Sequence, residues 1–402
     1  MLLTGAAVVT CIRDPEGRMN EEATLSADEL TRYHRQMILP GLGREGQLRI
    51  RAARVLVIGM GGLGSPAAMY LAAAGLGTLG LADFDKVELH NLHRQILHDT
   101  PRCGMAKLDS ALRSLSAINP HCRLVPHSQG IRAEDLPGLF ADYDVIVDCT
   151  DNFPTRYMVS DACVLARRPL AYGSIFQYEG QASFFDPAQD APCYRCLFPE
   201  MPEPGSVPNC AQAGVIGALC GIIGSIQAME ALKFVSGVGE NLLGRLLVVD
   251  AATMAFRTLN IKRDLNCPSC SHNARIRSII AQEYDGAAHC QNLDMARRDE
   301  ISAADLQGLI ETGHSPLLLD VRDPDECRLG MLPGALNIPL YELAGRLDEM
   351  EQSMPVVTYC HSGLRSMRAL KFMRERGFKS VLNLRGGILA WIREVDPTMK
   401  AF

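Results

Sequence analysis

A glycine-rich turn between an apolar strand and a small-residue helix constrains the fold of this chain most strongly. The segment RVLVIG, residues 54–59, has the continuous apolar pattern of a buried parallel strand. Gly59, Gly61 and Gly64 then form a G-x-G-x-x-G pattern, and the helical segment SPAAMYLAAAGLG follows. Glycines in this context let a phosphate approach the backbone and the positive end of the helix. The pattern predicts a nucleotide site at the edge of an α/β sheet.

Apolar strand segments alternate with helical segments along the rest of the chain. TLGLADFD, YDVIVDC and RLLVVDA read as further buried strands, which predicts a Rossmann-like doubly wound sheet. PLLLDVRD and PVVTYCHSGLRS begin a second, smaller α/β domain near the C-terminus. We therefore expect four segments: a disordered N-terminal extension 1–27, a nucleotide-binding domain 28–272, a linker 273–299 and a second domain 300–402.

Composition narrows the class of protein. The net charge is −6 and no dense Lys/Arg block is present, so we expect no nucleic-acid partner. No apolar run reaches the roughly 18–20 residues that span a bilayer, and no basic segment precedes the apolar start, so we expect neither a membrane span nor a secretory signal. The cysteines are scattered along a long chain, which is typical of a reducing cytoplasm.

Charged residues after the glycine turn favour ATP over a dinucleotide. Asp83 ends the second strand, where an acidic side chain can hold ribose hydroxyls. Asn91, Arg94 and Lys107 follow, and a clustered arginine and lysine suit the charge of a triphosphate. Asp151 follows the next strand and can hold Mg²⁺. A dinucleotide-dependent oxidoreductase is the alternative on the glycine pattern alone.

Two C-x-x-C pairs predict a metal site. Cys193 and Cys196 form the first pair, and Cys267 and Cys270 form the second. Four thiolates make a closed tetrahedral Zn²⁺ site, which is structural because no coordination position stays open. The alternatives are four unrelated buried thiols or a redox pair, and both pairs lack the helix-start context of a redox motif.

Six ordered motifs carry a family resemblance. RYHRQ, GMGGLGSP, DFDKVELHNLHRQ, CTDN, PCYRC and CPSC closely resemble the MoeB/ThiF adenylyltransferases, relatives of the ubiquitin-activating enzymes, over roughly residues 28–272. The resemblance implies ATP-binding roles for Gly62, Asp83, Asn91, Arg94, Lys107 and Asp151.

The same resemblance implies a homodimer and a reaction. Arg35, in the RYHRQ motif, would reach into the neighbouring subunit's site. The C-terminal glycine carboxylate of a small carrier protein would attack the α-phosphate of ATP, and pyrophosphate would leave. Cys210, in a proline-rich loop, matches a family cysteine implicated in covalent linkage to the carrier or in resolving an acyl disulfide.

The C-terminal segments LLLDVRDPDECRLGMLPGALNIPL, YCHSGLRS and LRGGILAW closely resemble a rhodanese domain, over about residues 300–402. Cys360 occupies the nucleophile position, at the end of a strand before a short loop and a helix. Backbone N–H groups, the helix N-terminus and Arg365 would stabilise a thiolate and then a persulfide. His361 follows the cysteine where arginine is commoner, which leaves the sulfur donor open; Asp320 and Arg322 resemble residues that brace the loop.

The two halves together indicate one combined reaction. An adenylate is an activated acyl group and a persulfide is a sulfur nucleophile, so the pair converts a carboxylate into a thiocarboxylate. The expected partners are a ubiquitin-like sulfur carrier ending in Gly-Gly and a sulfur donor, thiosulfate or a cysteine desulfurase. The alternative is adenylation alone, with the rhodanese domain used for docking or regulation. The pathway stays open among molybdenum cofactor, thiamine, tRNA, cysteine and siderophore thiolation.

Overall fold

The computed structural model describes residues 24–128, 132–202, 214–284, 299–312 and 316–400. The chain divides into two compact units, Met1–Gly286 and Ala287–Phe402. The first unit extends past the boundary expected at His272, because Ile279 and Tyr284 are buried in its core. The beginning of the segment expected as a linker, 273–299, is therefore folded onto the first unit.

The first unit contains one sheet of eight strands. In chain order they are β1 (Arg54–Ile58), β2 (Thr78–Ala82), β3 (Arg123–His127), β4 (Val145–Asp148), β5 (Leu170–Phe176), β6 (Glu179–Phe185), β7 (Arg245–Asp250) and β8 (Ala255–Asn260). Their spatial order is β3-β2-β1-β4-β5-β6-β7-β8. β1 to β5 pair in parallel, and β6 to β8 add three antiparallel strands. The strand order reverses between β1 and β4, which is where ligands of doubly wound sheets bind.

Helices cover both faces of this sheet. They are α1 (Ala27–Arg32), α2 (His34–Met37), α3 (Gly43–Ala52), α4 (Gly64–Ala73), α5 (Lys107–Ile118), α6 (Leu136–Ala141), α7 (Phe153–Ala166), α8 (Tyr194–Leu197), α9 (Gly217–Ser236) and α10 (Ala281–Tyr284). Because strand side chains alternate between faces, Val55 and Val57 pack into one hydrophobic cluster while Leu56 and Ile58 pack into another. The continuous apolar sequence of β1 is thus explained by burial on both faces.

Helix α9 is longer and more apolar than the sequence analysis recognised. Among the described helices, Gly217–Ser236 alone is long and apolar enough, by length and composition, to cross a membrane. About half of its apolar stretch is buried inside the fold, and the helix packs against α4, β5 and β6. This packing is that of a core helix, so the expectation that no apolar run reaches such a length was wrong for this segment.

Helix α7 begins two residues after Asp151, which is a residue of the expected nucleotide site. The side chain of Asn152 accepts a hydrogen bond of 2.9 Å from the backbone N–H of Thr155, and a proline stands in the first turn. Both features are typical of helix N-termini. They fix Asp151 in the short connection between β4 and α7.

The second unit contains a five-stranded parallel sheet in the order β11-β10-β12-β13-β9. Its strands are β9 (Glu300–Ile301), β10 (Leu317–Asp320), β11 (Leu336–Asn337), β12 (Val356–Tyr359) and β13 (Val381–Leu384). Its helices are α11 (Ala303–Glu311), α12 (Pro324–Cys327), α13 (Leu343–Arg346), α14 (Leu364–Glu375) and α15 (Gly387–Glu394). Hydrophobic clusters lie in this unit as well. The predicted fold class, a doubly wound sheet followed by a smaller α/β domain, is confirmed.

Candidate active sites and metal centre

A cavity of ≈ 380 Å³ lies at the point where the strand order of the first sheet reverses. It is bounded by the residues that follow β1, β2 and β4. Seven of the residues expected to bind nucleotide line it: Gly59, Gly61, Gly62, Asp83, Arg94, Lys107 and Asp151.

The glycine turn is shaped by contacts that exclude side chains. Gly59 has φ 93°, a conformation that residues with a Cβ rarely adopt. A Cβ on Gly64 would lie 1.8 Å from the carbonyl oxygen of Gly59, so the helix start packs directly on the turn. The backbone N–H of Met60 donates a 2.7 Å hydrogen bond to Oδ2 of Asp83. The carboxylate that would hold a ribose therefore also fixes the turn that would receive the phosphates.

Two cations of the cavity, Lys107 and Arg94, are held by neighbouring polar groups. Lys107 Nζ lies 2.8 Å from Oδ2 of Asp85 and 3.9 Å from Oδ2 of Asp83, and its side chain is only 6% exposed. Arg94 donates 3.1 Å to Oδ1 of Asn91. Asn91 lies outside the cavity lining and acts by orienting the arginine.

Asp148 is the last residue of β4 and Asp151 lies three residues later, and the surroundings of the two carboxylates differ. Asp148 is 1% exposed, and burial raises the pKa of its carboxyl although Arg156 opposes that rise. Its Oδ1 accepts hydrogen bonds from both the N–H and the hydroxyl of Thr150. Asp151 is exposed and lines the cavity, so it is the carboxylate available to a ligand.

Two residues that the sequence analysis did not select also shape this site. Arg156 lines the cavity, is 5% exposed, and donates 2.8 Å to the carbonyl oxygen of Thr150 and 2.7 Å to Oγ of Ser174. His98 is buried and contacts the glycine turn through Met60. Arg156 could have been selected from the sequence because it lies one turn into α7, shortly after Asp151. No sequence pattern marks His98 as part of the site.

Two further residues were expected at this site. Arg35 is exposed on α2 and does not line the cavity. Its expected role concerns a second subunit. Cys210 lies outside the described residues, within the gap between residues 202 and 214.

The four cysteines of the C-x-x-C pairs come together. Their Sγ atoms all lie within 4.8 Å of one another, with Cys193 3.6 Å from Cys267 and Cys196 3.5 Å from Cys270. Hydrogen bonding within the cluster lowers the pKa of Cys196 and raises the pKa of Cys193. The Zn–S distance of about 2.3 Å implies S–S separations of about 3.8 Å in a tetrahedron, so the cluster fits one zinc ion.

One of the two residues between Cys193 and Cys196, Arg195, links the cluster to the core. Arg195 donates to both carboxylate oxygens of Asp161, with contacts of 2.7–3.0 Å, and its guanidinium lies 4.7 Å from the ring centroid of Tyr157. Asp161 is fully buried and also accepts 2.9 Å from the hydroxyl of Tyr284. The cysteine cluster and the end of the first unit thus share one buried carboxylate.

In the second unit, Cys360 directly follows β12 and opens the short loop, residues 360–363, that leads into α14. Its thiol is 1% exposed; Sγ accepts 3.2 Å from the N–H of Gly363 and lies 3.4 Å from Oγ of Ser366. Gly363 has φ 96° and caps α14, and its N–H is directed at the Cys360 sulfur. This is the backbone cradle that a thiolate or persulfide needs.

The loop arginine is paired with a carboxylate that the sequence analysis did not select. Arg365 Nη1 and Nη2 each donate 2.6 Å to one oxygen of Glu326. Hydrogen bonding to Glu326 raises the pKa of Arg365, so the guanidinium is charged but already compensated.

Asp320 and Arg322 form a fully buried ion pair in the same unit. Arg322 Nη2 donates 2.6 Å to Asp320 and 2.7 Å to the carbonyl oxygen of Gly330. The pair therefore connects the end of β10 to the segment after α12. These contacts lie within β10 and the segment after α12, and bracing of the Cys360 loop by this pair stays a prediction.

The sequence matches known proteins along nearly its whole length. Residues 33–269 match the ThiF family, and residues 302–394 match the rhodanese-like domain. A protein of Mycobacterium tuberculosis (strain H37Rv), named probable adenylyltransferase/sulfurtransferase MoeZ, is 42% identical over 94% of this chain and 96% of the relative. The adenylyltransferase and sulfurtransferase MOCS3 of Drosophila yakuba is 40% identical over 94% of this chain and 86% of the relative.

Solved structures support the fold. The crystal structure of E. coli MccB covers 57% of this chain and 68% of its own, with a TM-score of 0.52 and 20% identity. The crystal structure of PaaA covers 61% of this chain and 77% of its own, with a TM-score of 0.52 and 22% identity. The names of these two relatives give both an adenylyltransferase and a sulfurtransferase activity. They therefore favour the combined activities over adenylation alone and over a dinucleotide-dependent oxidoreductase. The chain belongs to the ThiF family, joined to a rhodanese-like domain, and is an adenylyltransferase and sulfurtransferase.

Proposed function

We propose that this enzyme uses ATP to adenylate the C-terminal Gly-Gly carboxylate of a small ubiquitin-like sulfur carrier, and then converts that carboxylate into a thiocarboxylate with sulfur held on Cys360. The observation that carries the proposal is one chain holding both a cavity lined by Asp83, Arg94, Lys107 and Asp151 and a buried thiol in a backbone cradle. The first site suits nucleotide activation, and the second suits a sulfur nucleophile.

In the adenylation step the protein positions and neutralises charge. Asp83 would accept hydrogen bonds from the ribose hydroxyls, and the N–H groups of the glycine turn would receive the phosphates. Arg94, held by Asn91, and Lys107, held by Asp85, would stabilise the charge that develops on pyrophosphate. The carboxylate oxygen of the carrier attacks the α-phosphorus, and the bond to the β-phosphate oxygen breaks. No side-chain base is required, because the attacking carboxylate is already ionised.

Asp151 is the proposed Mg²⁺ ligand. It is exposed in the cavity, whereas Asp148 is buried with both Thr150 donors on one oxygen. An ion held by Asp151 would neutralise part of the charge of the phosphates. Carboxylate oxygen is the ligand that Mg²⁺ prefers, so the residues present fit the ion.

A homodimer is part of the proposal. Arg35 is exposed on α2 and outside its own chain's cavity, as an arginine that serves a neighbouring site would be. In a dimer it would add a cation to the partner's phosphates.

In the sulfur step the terminal sulfur of the Cys360 persulfide attacks the acyl carbon, and AMP leaves with the bonding electron pair. An acyl disulfide results. A second thiolate then attacks the Cys360 sulfur and releases the thiocarboxylate; Cys210 is the candidate for this thiolate, and a dithiol reductant must reduce the disulfide that remains. The N–H of Gly363 and the hydroxyl of Ser366 would stabilise the Cys360 sulfur when it carries charge.

The cysteine cluster is proposed to bind structural Zn²⁺. The four thiols leave no open coordination position, and the N–H of Asp264 contacts the Cys196 sulfur at 3.4 Å, a contact that orients a metal-bound thiolate. Zinc would join the segment near β6 to the segment after β8.

Carrier-dependent exchange of labelled pyrophosphate into ATP tests the first step. Exchange that requires a Gly-Gly-ending carrier and is lost in Asp151→Ala supports the proposal. Cys360→Ala is the matched control, because it leaves the cavity intact and should retain exchange. Exchange without any carrier, or NAD(P) binding without exchange, would reject it.

A further inference from the structure

We propose that Glu326 is a specificity-determining residue of the Cys360 site: by neutralising Arg365, it makes the thiol take sulfur from an organic persulfide, R–S–SH, in preference to the thiosulfate dianion. This inference rests on the proposed sulfur transfer at Cys360. It concerns the donor, which the sequence leaves open.

The pair between these two residues is bidentate and partly shielded. Both guanidinium contacts are 2.6 Å, and the side chains of Arg365 and Glu326 are 22% and 23% exposed. Planar two-bond pairing of this kind is the strongest form of arginine–carboxylate contact. The positive charge of Arg365 is therefore already compensated by the Glu326 carboxylate.

Glu326 is held in place independently of the arginine. It occupies the third position of α12 and forms a capping box with Asp323, whose N–H donates 3.1 Å to Oε2 of Glu326. Burial opposes ionisation of Glu326, but the hydrogen bonds from Arg365 and Asp323 outweigh it and lower the pKa of the carboxyl. Glu326 is therefore a fixed negative charge.

A further cation, Arg322, acts on Glu326, but it is fully buried and paired with Asp320. Arg365 interacts electrostatically with Cys360 and with Asp323, besides Glu326. Among residues 360–366 Arg365 is the only lysine or arginine in the sequence. The Arg365 guanidinium that a small dianion would meet in this loop is thus already compensated by Glu326, and Asp323 adds a second carboxylate nearby.

The two donors make different demands on this charge. With thiosulfate, the Cys360 thiolate attacks the sulfane sulfur, the S–S bond breaks, and sulfite leaves with the electron pair and a charge of two. With R–S–SH, the same attack releases a thiolate with a single charge, and the sulfane sulfur and its proton pass to Cys360. The thiosulfate reaction therefore needs more cationic stabilisation, which the Glu326–Arg365 pair withholds.

Single-turnover sulfur loading of the reduced full-length enzyme tests this. Loading of Cys360 is followed by intact mass with sodium thiosulfate or with glutathione persulfide as the donor. In Glu326→Gln the rate with thiosulfate should rise about tenfold while the rate with the persulfide stays within about twofold, because only the dianion gains much from an unpaired arginine. Glutamine preserves a capping box at the third helical position, so α12 should remain folded.

The matched control is Glu349→Gln. Glu349 pairs with Arg346 through two contacts of 2.6 and 2.7 Å in the same unit, and its loss should leave the ratio of the two rates unchanged. An unchanged ratio in Glu326→Gln, or equal losses with both donors, would overturn the inference and leave sulfur transfer standing. Failure of both donors to load Cys360 in every variant would overturn the inference together with the proposed sulfur step.

Discussion

His98 Nε2 lies 3.0 Å from the carbonyl oxygen of Met60, in the middle of the glycine turn. Because a carbonyl only accepts, Nε2 carries the proton, and Nδ1 accepts from Ser110, 2.9 Å away. The N–H of Met60 is bound to Asp83. Met60 is thus held through both of its backbone polar groups, and a neutral histidine supplies one of the two contacts.

This contact predicts a pH-dependent role for His98. Burial lowers the pKa of His98 below its ordinary value, so the unfolded chain binds the proton more readily than the folded chain does. The stabilisation is present above a pH of about 6.5 and is lost as the pH falls through the lowered pKa. In His98→Gln this acid loss of stability should shrink, as measured by unfolding in denaturant from neutral to mildly acidic pH.

The same substitution should weaken ATP binding at neutral pH. Loss of one buried hydrogen bond of about 1 kcal/mol corresponds to about a fivefold rise in the KM for ATP. Exposed His121 supplies the control, since His121→Gln should change neither property. An unaltered KM in His98→Gln would show that the turn is fixed without the histidine.

Two glycine-to-alanine substitutions should have opposite effects on stability. A Cβ on Gly64 would lie 1.8 Å from a backbone oxygen, and Gly64→Ala should cost about 3 kcal/mol or more and reduce ATP binding. A Cβ on Gly221, in α9, meets nothing within 4 Å, so Gly221→Ala should stabilise by about 0.5–1 kcal/mol. Equilibrium unfolding in urea gives both values, and equal effects would contradict the packing described here.

Patterns of residue type selected seven of the residues that line the cavity of the first unit. Gly59 is recognisable because a tight turn requires glycine. Asp83 is recognisable because it ends a strand at the carboxyl edge of the sheet. The C-x-x-C pairs are recognisable by spacing, although only the fold shows that the four Sγ atoms lie within 4.8 Å. Local sequence patterns thus identify residues whose role depends on their own position in a strand, helix or turn.

Residues that act through a partner distant in sequence were not predicted. His98 is 38 residues from Met60, and Glu326 is 39 residues from Arg365. A lone histidine or glutamate is usually a surface or core residue, so nothing in its own neighbourhood distinguishes it. The burial of Tyr284 was missed because the segment after residue 272 is polar on average, and one aromatic contact outweighs that average.

Tyr284 should anchor the end of the first unit. Its hydroxyl donates 2.9 Å to the fully buried Asp161, so Tyr284→Phe should cost about 1.5–2 kcal/mol. Asp161→Asn, which leaves Arg195 without its carboxylate, should cost about 3–5 kcal/mol. Tyr178→Phe, at an exposed tyrosine, is the control and should have no effect. Urea unfolding monitored on the first unit measures all three, and a neutral Asp161→Asn would contradict this anchoring.

Zinc content should depend on the cysteine cluster alone. We expect one zinc per chain by elemental analysis, lost in Cys267→Ser together with about 4 kcal/mol of stability. Cys103→Ser, at an exposed cysteine, should retain the metal and the stability. A zinc-free protein of unchanged stability would reject the metal and leave four packed thiols.

The most direct test of the central claim weighs the intact carrier after incubation with the enzyme, ATP, Mg²⁺ and a sulfur donor. Replacement of one carboxylate oxygen by sulfur, absent in both Asp151→Ala and Cys360→Ala, is the predicted result. Adenylated carrier should still form in Cys360→Ala, because that site lies in a different unit from the nucleotide cavity. A carrier that gains sulfur equally well with Cys360→Ala would contradict the account.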